Sequence, residues 1–154
     1  MNVTVDLDNQ CPGHWSPDPG LVAGWLDMAL QALDSGHPCN VSVQVLDEPA
    51  TAALNQQYRG KPGATNVLSF PSNLPAFMTE FLDAAPLGDI VACAPLIARE
   101  AEQQGKPLEA HWAHLLTHGF LHLKGYDHQT PADAGVMEGL EIAILERLGF
   151  ANPY

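Results

Sequence analysis

Between His118 and His128 the chain reads His118-Gly119-Phe120-Leu121-His122-Leu123-Lys124-Gly125-Tyr126-Asp127-His128, a spacing of H-x-x-x-H-x-x-G-x-x-H. No other stretch restricts the backbone so sharply. Histidines four apart lie one above the other on a helix. A glycine three residues later can take the left-handed conformation that ends the helix. The chain then doubles back and can bring the third imidazole beside the first two. Three imidazoles converging on one point leave a fourth tetrahedral position open, the arrangement of a catalytic zinc rather than a structural one.

Pro107 opens this helix. At about 100° per residue, His111, His114, His118 and His122 fall within roughly a quarter of its circumference. Trp112, Leu115, Leu116, Phe120 and Leu123 occupy the adjoining arc, so an apolar flank for the core runs beside a histidine stripe. His114, one turn before His118, could be a ligand in a register shifted by four. That register loses the glycine turn and leaves His128 unused. The expected ligands of one zinc ion per chain are therefore His118, His122 and His128, with His114 as a supporting or packing neighbour. His14 and His37 lie outside the pattern and read as ordinary histidines. Asp127 either orients an imidazole through its free N–H or belongs to the turn.

Gly119 costs a helix about 1 kcal/mol relative to alanine. It stands where a zinc metallopeptidase carries the glutamate general base of H-E-x-x-H. The missing side chain either leaves room beside the metal or allows close helix packing.

The remaining pattern alternates strand and helix. Val3, Val5 and Leu7 predict a strand over 2–8, and Val41, Val43 and Val45 another over 41–46. Apolar spacing predicts a helix from Leu21 to Leu33, stopped by Asp34-Ser35-Gly36. A helix from about Pro49 to Tyr58, a loop over 59–64 and a strand from Thr65 to Phe70 follow, the last ended by Pro71. Residues 72–86, with Pro75 and Pro86, read as an excursion before a strand over 87–93. A helix then runs from Pro95 to Gln104. After the histidine helix, Thr130 caps a helix opened by Pro131 and running to about Leu148. This predicts an α+β (mixed α/β) fold, a small four-stranded mixed sheet with about five packed helices, in one domain spanning 1–154.

Six Lys and Arg against 18 Asp and Glu give a net charge of −12. Such a chain has no broad basic surface for binding nucleic acid by counterion release. A polyanionic substrate must then be held locally, by the metal and one or two placed cations. Cys11, Cys39 and Cys93 are far apart and odd in number, which argues against disulfides. No apolar run suggests a membrane span, and the acidic, alternating N-terminus lacks the character of a signal peptide. The expectation is a cytoplasmic protein without a membrane partner.

The histidine segment resembles the YbeY family, bacterial endoribonucleases of ribosomal RNA maturation. Tyr58-Arg59-Gly60-Lys61 with Thr65-Asn66-Val67-Leu68-Ser69-Phe70-Pro71 resembles a second block of that family. Leu87-Gly88-Asp89-Ile90 resembles a third, and Met137, Glu138 and Leu148-Gly149 a fourth. Asn66 departs from the family, which usually has Asp there. Its effect depends on whether that charge tunes a cation in the cleft or only caps a turn.

The resemblance implies zinc on His118, His122 and His128, and Arg59 as the catalytic residue. It implies single-stranded RNA as substrate, in 3′-end maturation of 16S ribosomal RNA and ribosome quality control at the small subunit, with no DNA partner. Arg59 would clamp a phosphate through paired N–H donors, and Lys61 would help bind the RNA backbone. Either activated water or the RNA 2′-hydroxyl could be the nucleophile. Two rivals remain at this level. One is a metal-stabilised, non-enzymatic ribosome-assembly factor. The other is a metzincin-like metallopeptidase, opposed by Gly119 in the glutamate position.

Overall fold

A computed structural model describes residues 2–33, 36–79 and 81–154. In chain order the elements are β1 (Val3–Asn9), α1 (Pro19–Ala32), β2 (Cys39–Leu46), α2 (Glu48–Arg59), β3 (Val67–Pro71), α3 (Ala76–Thr79), β4 (Ala85–Cys93), α4 (Ala94–Gln104), α5 (Leu108–Leu123) and α6 (Pro131–Arg147). The sheet order is β1-β2-β4-β3. The first three strands in that order run parallel, and β3 pairs antiparallel with β4 at the edge. This is the α+β fold with a four-stranded mixed sheet that the periodicities predict. Five helices of eleven or more residues pack on it, with α3 a single added turn.

Boundaries moved where caps or pairing overruled periodicity. The α1 helix starts at Pro19, not Leu21, because the Asp18 carboxylate accepts from the Leu21 amide at 2.8 Å and Pro19 suits the first turn. The expected stop at Asp34 and Ser35 lies outside the described residues. Arg59 is the last residue of α2 rather than part of the following loop, and Gly60 caps that helix. Strand β3 begins at Val67, so Thr65 and Asn66 precede it. Strand β4 reaches back to Ala85, because Ala85 and Pro86 still pair with Cys39 and Asn40 of β2 across an irregularity at Asn40/Val41. Thr130 caps α6 as expected, accepting from the Asp133 amide at 3.1 Å.

One face of the sheet carries the main core. Val41, Val43, Val45 and Ile90 meet Leu26 and Leu30 of α1, Leu116 and Phe120 of α5, and Ile144 of α6. Each such side chain contributes roughly 1.5–3 kcal/mol by leaving water. The opposite face is a smaller cluster, Leu46, Leu68 and Val91, under Ala50 and Leu54 of α2. Trp112, Leu116, Phe120 and Leu121 of α5 are all fully buried, which fixes the rotation of that helix and therefore the direction of its histidine stripe.

Candidate metal centre and cleft

The turn after α5 is built by hydrogen bonds the sequence anticipates. Gly125 has φ 98°, its amide donates to the His122 carbonyl at 3.0 Å, and the Tyr126 amide donates to the Leu121 carbonyl at 3.0 Å. This is a Schellman closure of the helix. Asp127 then accepts from the His128 backbone amide at 2.7 Å, so it braces the turn. The chain returns His128 to the end of α5.

The result is a cluster in which one ring nitrogen from each of His118, His122 and His128 lies within 4.8 Å of the others. The Nε2 atoms of His118 and His122 are 3.1 Å apart. Two nitrogens held about 2.05 Å from one tetrahedral zinc stand about 3.3 Å apart, so the pair is already spaced for a shared cation. His118 Nδ1 is 2.9 Å from Oε1 of Glu141. An ionised carboxylate only accepts, so Nδ1 donates to it and Nε2 is the ring nitrogen turned to the cluster. Burial, followed by the neighbouring His118 and His128, lowers the pKa of His122 and favours its neutral, ligating form. The donor set therefore fits a zinc-like ion.

Glu141 is fully buried. Burial alone would raise its carboxyl, but hydrogen bonds from His114, His118 and Tyr154 outweigh that and bring it to about 2. His114 Nε2 approaches Oε1 at 3.1 Å, so His114 supports the carboxylate that orients His118 and does not join the cluster. The sequence reading did not pick out Glu141. It carried a signal: Met137, Glu141, Ile144 and Leu145 form the buried stripe of α6, and an acid in such a stripe needs a partner.

Gly119 faces the sheet. A Cβ there would lie 3.0 Å from Ser69 Oγ and 3.2 Å from Ile90 Cγ2, and Ser69 Oγ donates to the Gly119 carbonyl at 3.0 Å. The missing side chain serves close packing of α5 on β3 and β4. A side chain there would have to displace Ser69 and Ile90 by a few tenths of an ångström.

The cluster opens into a cleft of about 990 Å³. Across it stand Tyr58, Arg59 and Lys61, from the end of α2 and the loop after it. Arg59 and Lys61 are exposed. Among the described residues Arg59 makes no ion pair, whereas Arg99 pairs with Glu48 at 2.6 Å. Tyr58 is 59% exposed and sits edge-on to Phe70, with ring centroids 5.0 Å apart.

The family profile described as Endoribonuclease YbeY matches residues 19–149. The chain belongs to the YbeY family. It is 49% identical to the Endoribonuclease YbeY of Methylococcus capsulatus over 138 residues, covering 90% of this chain and 87% of the relative. It is 44% identical to that of Nitrosococcus oceani over 154 residues, covering 100% and 98%. The fold is also that of the solution structure of TM1509 from Thermotoga maritima, with TM-score 0.57 at 21% identity, covering 96% of this chain and 91% of that one.

Asn66 lines the same cleft. Its side-chain amide donates to Glu100 Oε1 at 3.1 Å, and the same oxygen meets His111 Nε2 at 3.0 Å. An aspartate here would set two carboxylates against each other. The amide removes that repulsion.

Proposed function

We propose that this YbeY protein is a zinc-dependent, single-strand-specific endoribonuclease, with residues 1–154 acting as one catalytic domain. The observation that carries this reading is the open three-imidazole cluster facing Arg59 across one cleft. His118, His122 and His128 would hold one zinc ion, since imidazole is a favoured ligand of that metal. When bound, zinc supplies Lewis acidity toward a phosphoryl oxygen and lowers the pKa of water.

The protein's own groups do the rest. The Arg59 guanidinium, with no acidic partner among the described residues, donates paired N–H groups to non-bridging phosphate oxygens and stabilises charge as the phosphodiester breaks. Lys61 holds an adjoining phosphate. The exposed face of Tyr58, backed by Phe70, offers a stacking surface to an unpaired base. Two cations on a chain of charge −12 are too few for gripping a duplex, which supports a single strand as substrate and leaves DNA duplexes out.

That the relatives are endoribonucleases supports RNA cleavage. We extend it to 3′-end maturation of 16S ribosomal RNA and ribosome quality control on the small subunit, in the cytoplasm. No helix among the described residues is long and apolar enough to cross a membrane. The peptidase alternative is opposed by the packing at Gly119. A purely structural metal is opposed by the open side of the cluster.

The test is cleavage of a single-stranded ribosomal RNA fragment by zinc-replete protein beside its Arg59→Glu variant. Cleavage by the first and not the second supports the reading. No cleavage by either would favour the assembly-factor alternative. Products ending in a 2′,3′-cyclic phosphate would assign attack to the RNA 2′-hydroxyl rather than to water.

A further inference from the structure

We propose that Tyr154 is a positioning residue of the metal centre, acting through Glu141 on His118. The inference rests on the zinc-dependent reading and deepens it.

The geometry is a relay of three groups. Glu141 Oε1 accepts from His118 Nδ1 at 2.9 Å and from His114 Nε2 at 3.1 Å. That leaves Oε2, on a residue with no exposed surface. The Tyr154 hydroxyl donates to Oε2 at 2.7 Å. Without it, a buried carboxylate oxygen loses its one donor among the described side chains, a costly state that the carboxylate can relieve by turning. Any turn of the carboxylate about its fixed helix displaces Oε1, and with it the hydrogen bond that sets the tautomer and ring plane of His118.

The phenol is held in place independently of Glu141. Lys106 Nζ donates to the Pro153 carbonyl at 2.9 Å, and the Tyr154 amide donates to Asn152 Oδ1 at 2.8 Å. The Phe150 amide donates to the Leu145 carbonyl at 2.9 Å, and its ring packs edge-on to Trp25. The Tyr154 ring sits edge-on to His114 with centroids 5.4 Å apart. Anchored at each step, the segment after α6 inserts one hydroxyl from the cleft side to the far oxygen of the carboxylate. Tyr154 remains 59% exposed and lines the cleft, so the core does not require its bulk. Its buried investment is the hydroxyl.

The test compares wild-type protein, Tyr154→Phe and Glu141→Gln in zinc titrations against a competing chromophoric chelator, with the absorption spectrum of the cobalt-substituted forms. Tyr154→Phe keeps the ring and removes one O–H, so the metal-free protein should still fold cooperatively, with a urea midpoint lowered by the loss of one hydrogen bond to a buried carboxylate. Its zinc affinity should fall about three- to tenfold, less than the roughly 10- to 100-fold expected for Glu141→Gln, which alters a direct partner of the ligand. The cobalt bands of Tyr154→Phe should shift. Wild-type affinity together with a wild-type cobalt spectrum in Tyr154→Phe would overturn the proposal while leaving the metal reading intact. A wild-type protein that takes up no zinc would overturn both.

Discussion

The Nε2 atoms of His118 and His122 face each other across 3.1 Å, one helical turn apart. Neutral imidazoles at that distance present lone pairs to a common point, and a cation relieves their repulsion. His118→Ala, His122→Ala and His128→Ala should each lower bound zinc from one ion per chain to a small fraction, read by metal analysis after gel filtration. Full occupancy in His122→Ala would remove the basis for the ligand set.

Arg59 closes α2 and has no acidic partner among the described residues. Arg59→Glu should abolish RNA cleavage and leave zinc content unchanged. With Arg59 and Lys61 as the cleft's cations, the logarithm of RNA affinity should fall with the logarithm of salt with a slope of about −1 to −2. A much steeper slope would mean that another surface or a partner takes part.

Tyr58 supplies area rather than charge. Tyr58→Ala should weaken single-stranded RNA binding by about 1–3 kcal/mol, while Tyr58→Phe should retain nearly all of it. Equal losses in both variants would transfer the role from the ring to the hydroxyl.

Gly119→Glu would install the glutamate of a metallopeptidase. Its Cβ would press on Ser69 Oγ and the fully buried Ile90, and would disturb the hydrogen bond from Ser69 Oγ to the Gly119 carbonyl. The variant should lose about 3 kcal/mol or more of stability in urea unfolding and gain no peptidase activity. A well-folded, fully stable Gly119→Glu protein would show that the contact between α5 and the sheet is loose.

His111 gives a pH dependence whose sign follows from burial. It is 3% exposed, and burial lowers its pKa below the usual 6.5 despite the Glu100 hydrogen bond that opposes the shift. The unfolded chain therefore binds this proton first as pH falls. Its contribution to stability is present above about pH 6.5 and is lost as pH falls through the lowered folded value. Zinc-free His111→Gln should show a shallower fall in urea midpoint between pH 7 and 5 than zinc-free wild type. An identical slope would assign that acid sensitivity to other groups.

What the sequence made legible was local. The histidine spacing, the Gly125 turn and the Thr130 cap are each written within a few residues, and hydrogen bonds of the same range build the turn and the cap. The partners that tune the site come from afar. Glu141 lies 23 residues beyond His118, and Asn66 meets Glu100 across 34. No spacing rule connects them, although an acid in the apolar stripe of α6 marks one end. Gly119 could be read two ways because the choice depended on Ser69 and Ile90, brought beneath it by the sheet. Likewise the start of β4 at Ala85 was hidden by Pro86, and pairing with β2 overcame that local signal.

All three clustered imidazoles come from one helix end and the turn closed by Gly125, whereas Arg59 reaches them only through the assembled sheet. On the proposed reading, ion capture and strand gripping would be encoded at different scales and would fail separately. A lesion in β3 would then yield a protein that still takes up zinc yet no longer holds a phosphate. A disrupted Gly125 turn would do the reverse, leaving an intact groove with nothing at its floor to drive the chemistry.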